Sequence, residues 1–170
     1  SVGACSKRGM SENSALVKGV NRAWDAGLVV VVAAGNNGPR TMSITTPGIS
    51  RKVITVGCSD DDREVLVGGN RMVDYSGRGP TAACICKPDL VAPGCSVVSC
   101  AGRADKYTIK SGTSMSTPIV SGATALLLER YPDMTNKDVK LKLRESCRDI
   151  GLPRNQQGWG LLDVEKLVSK

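Results

Sequence analysis

The segment around Ser114 has residue types that could support covalent chemistry. Residues 112–118 read GTSMSTP and open a long apolar stretch that repeats with helical period. Ser114 is therefore predicted at the first turn of a helix, and Pro118 agrees with this because proline is tolerated where the helix needs no backbone N–H. Free N–H groups and the positive end of the helix dipole favour a developing negative charge there. A serine hydroxyl in this position is a candidate nucleophile.

A serine hydroxyl also needs a base, and the chain contains no histidine. Lys110 is close enough in sequence for a serine–lysine pair, but lysine is rarely buried unpaired, so an exposed strand position suits it better. Ser114 and Ser116 are equally suited to capping a helix. The Gly-x-Ser-x-Gly elbow of α/β hydrolases is excluded because position 116 is not glycine. By itself this segment leaves catalysis and helix capping open.

A second candidate group follows an apolar run. Residues 28–34 are continuously apolar, which is typical of a strand covered on both faces of a parallel sheet, and the run ends in Gly35 and Asn36. Ligands of open α/β sheets bind at the carboxyl ends of such strands. The side-chain amide of Asn36 could donate a hydrogen bond to an oxyanion there. The simpler interpretation is a turn asparagine.

Several segments, in this order and spacing, resemble the subtilisin family of serine peptidases over essentially the whole chain. They are residues 1–3, 33–36, 76–80, 87–94, 111–118 and the ending at 158–163. Residues 23–27 and 43–49 are most similar to the bacterial intracellular-type branch. The resemblance implies an α/β fold of three layers, α/β/α, with a mainly parallel sheet. Residues 1–170 would form its C-terminal part, as a single portion of the peptidase domain.

The resemblance also implies roles for individual residues. Ser114 would attack the scissile carbonyl, while its own N–H and the amide of Asn36 hold the oxyanion. An extended peptide would bind as an added strand. The substrate-binding residues implied are Ser1, Val2, Gly3, Ala33, Ala34, Gly35, Gly112 and Thr113, with Thr45 and Thr46 near the pocket floor. The two threonines suggest a substrate preference shaped by the small polar groups that they bring to the pocket.

In the family the catalytic aspartate and histidine lie upstream of the segment with which this chain begins. An upstream segment of the parent chain is therefore the expected partner, besides a polypeptide substrate. Ser116 and Ile119 stand where many relatives have Ala and His, but neither is a triad position. The first function expected is a serine endopeptidase acting through an acyl-enzyme, with this chain inactive alone. The alternative is a non-catalytic relative that binds peptides or regulates; the intact pair Ser114 and Asn36 favours the peptidase.

The amino-acid composition limits the kinds of binding partner that are expected. No apolar run approaches membrane-spanning length, and the net charge of +7 comes from scattered Lys and Arg with few aromatic residues, so neither membrane nor nucleic acid is predicted. The basic residues at 137, 140, 142, 144 and 148 are predicted on the solvated side of a helix. Seven cysteines without zinc-site spacing predict free thiols in the cytoplasm, with secretion as the alternative. No cofactor is expected; calcium at residues 60–62 is the weaker alternative to a solvated loop.

The remaining pattern predicts the elements around these segments. Helices are predicted over 14–26, from 114 to just before 132, after a capping box at 135–138, and from about 163. Strands are predicted over 28–34, 53–57, 96–100 and 107–110, with a hairpin turn at 68–70 and irregular chain from 76 to 94. Without the upstream part, an open sheet edge predicts self-association or a partner chain.

Overall fold

The computed structural model describes residues 13–102 and 106–169. Its helices are α1 (Ala15–Asp25), α2 (Thr113–Arg130), α3 (Asn136–Ser146), α4 (Arg154–Gln157) and α5 (Val164–Val168). Its strands are β1 (Val31–Ala33), β2 (Ile54–Cys58), β3 (Val65–Val67), β4 (Asn70–Met72), β5 (Leu90–Ala92), β6 (Val97–Cys100), β7 (Tyr107–Lys110), β8 (Cys147–Arg148) and β9 (Leu161–Leu162).

A five-stranded sheet in the order β1-β2-β5-β9-β8 forms the centre of the fold. β1, β2, β5 and β9 run parallel, and the short β8 pairs antiparallel with β9. Every residue of β2 and β5 is buried, as expected for parallel strands covered on both faces. Two antiparallel hairpins, β3–β4 and β6–β7, form separate two-stranded sheets. The mainly parallel α/β fold predicted from the sequence is confirmed.

Helix α2 packs across β1, β2 and β5 and positions its own N-terminus at the end of β1. Val120, Ala123 and Leu127 follow a spacing of three and four residues and lie in the main core cluster with β2 and β5. Burial of a side chain such as Leu127 contributes about 2 kcal/mol. The packing of this helix therefore determines where Ser114 lies.

The helix starts predicted near residues 14 and 135 and the hairpin turn predicted at 68–70 are confirmed. Ser14 caps α1 by accepting a hydrogen bond from the backbone N–H of Val17, and Thr135 and Asp138 form the reciprocal capping box of α3. Gly68 and Gly69 have positive φ and form the turn of the β3–β4 hairpin. No helix within residues 13–102 and 106–169 is both long and apolar enough to cross a membrane.

Three expectations are wrong. The segment from 76 to 94 is not irregular throughout, because it contains β5, a fully buried strand at the sheet centre; the three residues of β5, which lie between Pro88 and Pro93, are too few to show a pattern. Pro118 is the sixth residue of α2, past the first turn, so it offers no N–H to the carbonyl of Ser114. Lys140 does not lie on a solvated face.

Lys140 belongs to a buried ionic cluster at the amino ends of β2 and β5. The ammonium of Lys87 lies 2.5 Å from Asp89 and donates to the carbonyl of Val53, and Lys140 lies 3.5 Å from the other oxygen of Asp89. Asp89 also accepts the backbone N–H of Thr55 at 2.7 Å. Burial outweighs the attraction of Asp89 and, with Lys140 nearby, lowers the pKa of Lys87 to about 8. Asp89 therefore links two cations to the main chain of β2.

Candidate active site

Ser114 is the second residue of α2, and its side chain is exposed. The helix begins after Gly112, whose φ of 137° favours glycine. The N–H of Gly112 donates to the carbonyl of Gly94 at 2.9 Å, which holds the loop in front of the helix. As the second residue, Ser114 has an N–H that the helical ladder leaves unpaired. Hydroxyl and free amide thus lie together at the positive end of an 18-residue helix.

Asn36 lies just past the end of β1 and is bonded to the start of α2. Its Oδ1 accepts hydrogen bonds from both the N–H and the hydroxyl of Thr113, each at 3.0 Å. The Thr113 hydroxyl in turn accepts the N–H of Gly35 at 3.2 Å. Two donors on one side identify that atom as the amide oxygen, so the NH₂ group occupies the other side. Asn36 is thereby oriented to donate, and the turn interpretation alone does not account for this contact.

The NH₂ group of Asn36 faces the loop that precedes Ser114. Its nitrogen lies 3.3 Å from the point that a Cβ on Gly112 would occupy. A side chain at position 112 would therefore crowd the donor, which gives glycine a steric reason at this position in addition to its φ. Among the described residues we find no acceptor bonded to this nitrogen. The site accordingly has a side-chain donor beside the loop that leads into Ser114.

The predicted substrate-binding residues from Ala33 to Gly35 are buried or half-buried at the end of β1. The carbonyl of Ala34 accepts the N–H of Thr45 at 2.8 Å and its hydroxyl at 3.3 Å. The Thr45 side chain also fills the space where Gly35 would carry a Cβ. Thr46 is buried, and its hydroxyl has no partner among the described residues.

The structure therefore brings residues 33–36, 45–46 and 112–114 to one end of the sheet. Ser1, Val2 and Gly3 lie outside the described residues. Lys110 is exposed on β7, in agreement with the interpretation that it is a surface residue rather than a base.

A hydrogen-bond network that supports the loop before Ser114 was not predicted from the sequence. The carbonyl of Gly94, which accepts Gly112, also accepts the hydroxyl of buried Tyr75 at 3.3 Å. The Asp60 carboxylate accepts the N–H of Gly94 at 2.7 Å and lies 3.1 Å from the thiol of Cys58. The network holds Gly94, and through it Gly112. No local sequence pattern marked Tyr75 or Cys58 as part of the site. Asp60 comes close to Gly94 only when the chain folds.

The acidic residues at 60 and 61 bind backbone groups of neighbouring loops. Asp60 and Asp61 both accept backbone N–H groups, Asp61 from Ser76 at 2.7 Å, so both carboxylates organise loops. Within the described ranges, no three side chains of His, Cys, Asp or Glu come together as metal ligands.

The described cysteines are free thiols. Burial raises the pKa of Cys58 to about 12, and that of Cys147 to about 12 as well, so both thiols stay protonated at neutral pH.

Comparison with known proteins agrees with this geometry. The family model described as the subtilase family matches residues 1–160. Serine protease AprX of Bacillus subtilis (strain 168) is 42% identical over 142 residues, covering 76% of this chain and 32% of that protein. Subtilisin DY of Bacillus licheniformis is 35% identical over 159 residues, covering 92% of this chain and 53% of that protein. The chain thus spans between a third and about half of these relatives.

Solved structures show the same fold. A structure titled S41 psychrophilic protease superposes with a TM-score of 0.75 at 30% identity, over 96% of this chain and 55% of the other. Prenylagaramide maturation protease PagA gives a TM-score of 0.73 at 22% identity, over 98% of this chain and 58% of that one, and supports the fold alone. With a serine at the start of α2, an amide donor after β1 and a family match over 160 residues, this chain belongs to the subtilase family of serine proteases.

Proposed function

We propose that this chain supplies the nucleophile and the oxyanion hole of a serine endopeptidase. Ser114 attacks the carbonyl of a peptide bond, and the oxygen that becomes negative is held by the Ser114 N–H and by Asn36. Collapse of this intermediate breaks the C–N bond and releases the amine, which takes a proton from the base. Water then attacks the ester on Ser114 and releases the acid. The substrate is a polypeptide.

The observation that carries this proposal is the orientation of Asn36. Thr113 holds the amide oxygen with two hydrogen bonds, so the NH₂ group is directed away from it before any substrate arrives. A donor that is already oriented costs no reorganisation when charge develops. An asparagine that served the turn alone would have no need of this arrangement with a residue next to Ser114.

The base is proposed to come from outside this chain, because the chain contains no histidine. We propose that a segment upstream of residue 1 in the parent protein brings an aspartate and a histidine to Ser114. Within the described residues β1 pairs with one strand only, β2, so its other edge is available for that segment. Where the segment is missing, the same edge favours self-association.

By itself the chain is expected to have negligible peptidase activity. An oxyanion hole without a base retains roughly 10³ to 10⁴ over the uncatalysed rate in water. The free thiols agree with a cytoplasmic location, which we propose on that basis.

Covalent labelling of Ser114 by a fluorophosphonate tests the proposal. The probe is applied to the full-length parent protein and to this chain alone, and the modified peptide is located by mass spectrometry. We expect rapid labelling of Ser114 in the parent and very slow labelling in the isolated chain, because the base lies in the missing segment.

Two variants of the parent protein make the labelling test specific. Ser114→Ala must abolish labelling, whereas Ser121→Ala, an exposed serine of the same helix, must leave it unchanged. Absence of labelling in the intact parent would reject the peptidase and favour a non-catalytic relative that binds peptides through the same groove.

A further inference from the structure

Asp60 is connected to the loop before Ser114 through the backbone of Gly94. One oxygen of its carboxylate, Oδ1, accepts the N–H of Gly94 at 2.7 Å and the N–H of Cys95 at 3.2 Å. The thiol of Cys58 donates to the same oxygen at 3.1 Å. Hydrogen bonds to a charged acceptor are about twice as strong as those between neutral groups. Asp60 therefore fixes the backbone of the turn that follows β5.

Gly94 transmits this constraint to Gly112. The carbonyl of Gly94 accepts the N–H of Gly112 at 2.9 Å, and a Cβ on Gly94 would lie 2.9 Å from the carbonyl oxygen of Gly112. That carbonyl oxygen accepts the N–H of Met115 at 2.8 Å. Both polar groups of the Gly112 backbone are therefore held, and Ser114 lies in the short stretch between Gly112 and Met115.

The start of α2 is thus held by two separate contacts. Asn36 accepts the N–H of Thr113, and Asp60 acts, through one intervening residue, on Gly112. An oxyanion hole needs its donors in place before charge develops, because donors that are already oriented cost no reorganisation. A misplacement of about 1 Å, caused by a change away from the reacting atoms, can lower the rate about 10²-fold. The contact that holds Gly112 therefore affects where the Ser114 N–H lies relative to the Asn36 amide.

We propose that Asp60 is a positioning residue for the oxyanion hole: it holds Gly94, and through Gly94 it keeps the Ser114 N–H aligned with the Asn36 amide. This inference rests on the proposed peptidase function and adds to it a residue that does not touch the substrate. The three donors all meet at Oδ1. An amide oxygen in the same place can accept them too, whereas alanine offers no acceptor.

The test compares Asp60→Ala and Asp60→Asn in the full-length protein. Asp60→Ala is expected to lower kcat about 10- to 100-fold and to leave KM within about threefold of the parent, because the transition state loses stabilisation and substrate binding does not. Asp60→Asn is expected to stay within about fivefold of the parent kcat, since only the charge of the acceptor is lost. Rates are expressed per active site, counted by complete titration of Ser114 with a fluorophosphonate. A merely structural role would lower the number of sites and leave the rate per site unchanged.

Inhibition by a peptide boronic acid gives a second measurement. The boronic acid forms a tetrahedral adduct with a serine hydroxyl, in which one oxygen takes the place of the oxyanion, so its affinity follows transition-state binding. Its inhibition constant should rise in Asp60→Ala by about the factor by which kcat/KM falls.

Two further variants complete the design. Asp62→Ala is the matched control, because Asp62 is an exposed aspartate of the same loop, and it should keep kcat within about twofold of the parent. Tyr75→Phe removes the hydroxyl that donates to the carbonyl of Gly94 at 3.3 Å, so it weakens the same support from another residue. It is expected to lower kcat about threefold, the scale of one neutral hydrogen bond.

Failure of this inference can be told from failure of the proposed function. If Ser114 of the parent is not labelled by the fluorophosphonate, both fail. If it is labelled, an unchanged kcat or an unchanged boronate affinity in Asp60→Ala overturns the positioning role and leaves the peptidase standing. An equal loss in Asp60→Asn and Asp60→Ala has the same meaning. Should Asp60→Ala not fold, an unchanged kcat in Tyr75→Phe overturns the role, and a lowered one supports it. A fall in kcat and boronate affinity in Asp60→Ala that asparagine reverses, with normal rates in Asp62→Ala, supports the proposal.

Discussion

Replacing Asn36 by aspartate is expected to remove most of the activity of the full-length protein while leaving its structure intact. An aspartate can still accept both hydrogen bonds from Thr113, so the contact between the end of β1 and the start of α2 is retained. The NH₂ donor, however, becomes an oxygen that repels the oxyanion. We expect kcat to fall by at least about 10² to 10³, a magnitude carried over from subtilisin, a member of this same family.

Steady-state kinetics distinguish this role from a structural one. An interaction made only in the transition state lowers kcat and kcat/KM together and leaves KM unchanged. Asn37→Ala, at the next residue and with an exposed side chain, is the control and should retain activity within about threefold. If Asn36→Asp raised KM and spared kcat, Asn36 would contribute to substrate binding and the oxyanion assignment would have to be abandoned.

The second large effect concerns stability rather than activity. Asp89→Asn removes the carboxylate that links Lys87 and Lys140 in the interior, where the side chains of Lys87 and Asp89 are 1% and 8% exposed. Two ammonium groups are then left near each other without a counter-charge. Breaking a buried pair from one side costs about 3–5 kcal/mol, and we expect the free energy of unfolding of the full-length protein to fall by that amount.

The loss should depend on pH in a defined direction. Folding lowers the pKa of Lys87 from 10.5 to about 8, so the unfolded chain binds this proton more tightly and stability rises with pH through that window. Without Asp89 the pKa of Lys87 falls further, because the attraction that raised it is gone. In the variant, Lys87 therefore loses its proton, and the buried charge disappears, at a lower pH than in the parent. The difference between the parent and Asp89→Asn should therefore be larger at pH 6 than at pH 9.

Urea unfolding at the two pH values measures this prediction. The control is Asp25→Asn, which breaks an ion pair with Lys52 whose two side chains are 57% and 45% exposed; this variant should lose less than about 1 kcal/mol at either pH. Equal losses for the two variants would show that the cluster around Asp89 is no more important than a surface ion pair.

Some features of this protein follow from short stretches of sequence. The capping box of Thr135 and Asp138 involves residues within one helical turn, and the glycine turn of the β3–β4 hairpin depends on the φ values of adjacent residues, so both were predicted closely. Longer apolar runs likewise indicated β1 and β2. The central strand β5 was missed because its three residues between two prolines show no periodicity.

In the candidate site, too, some features follow from local sequence and others only from tertiary contacts. Ser114 and Asn36 stand in segments whose local pattern predicted a helix start and a strand end, and the resemblance to the subtilisin family marked them as the two groups that would act on a carbonyl. Only the tertiary structure decided that Thr113, 77 residues from Asn36, turns the amide so that it can donate. The support of Gly94 by Tyr75 and the burial of Lys87 with Asp89 have the same origin. Each joins segments whose separation along the chain carries no local signal, since packing of the whole sheet and of α2 determines which distant side chains meet.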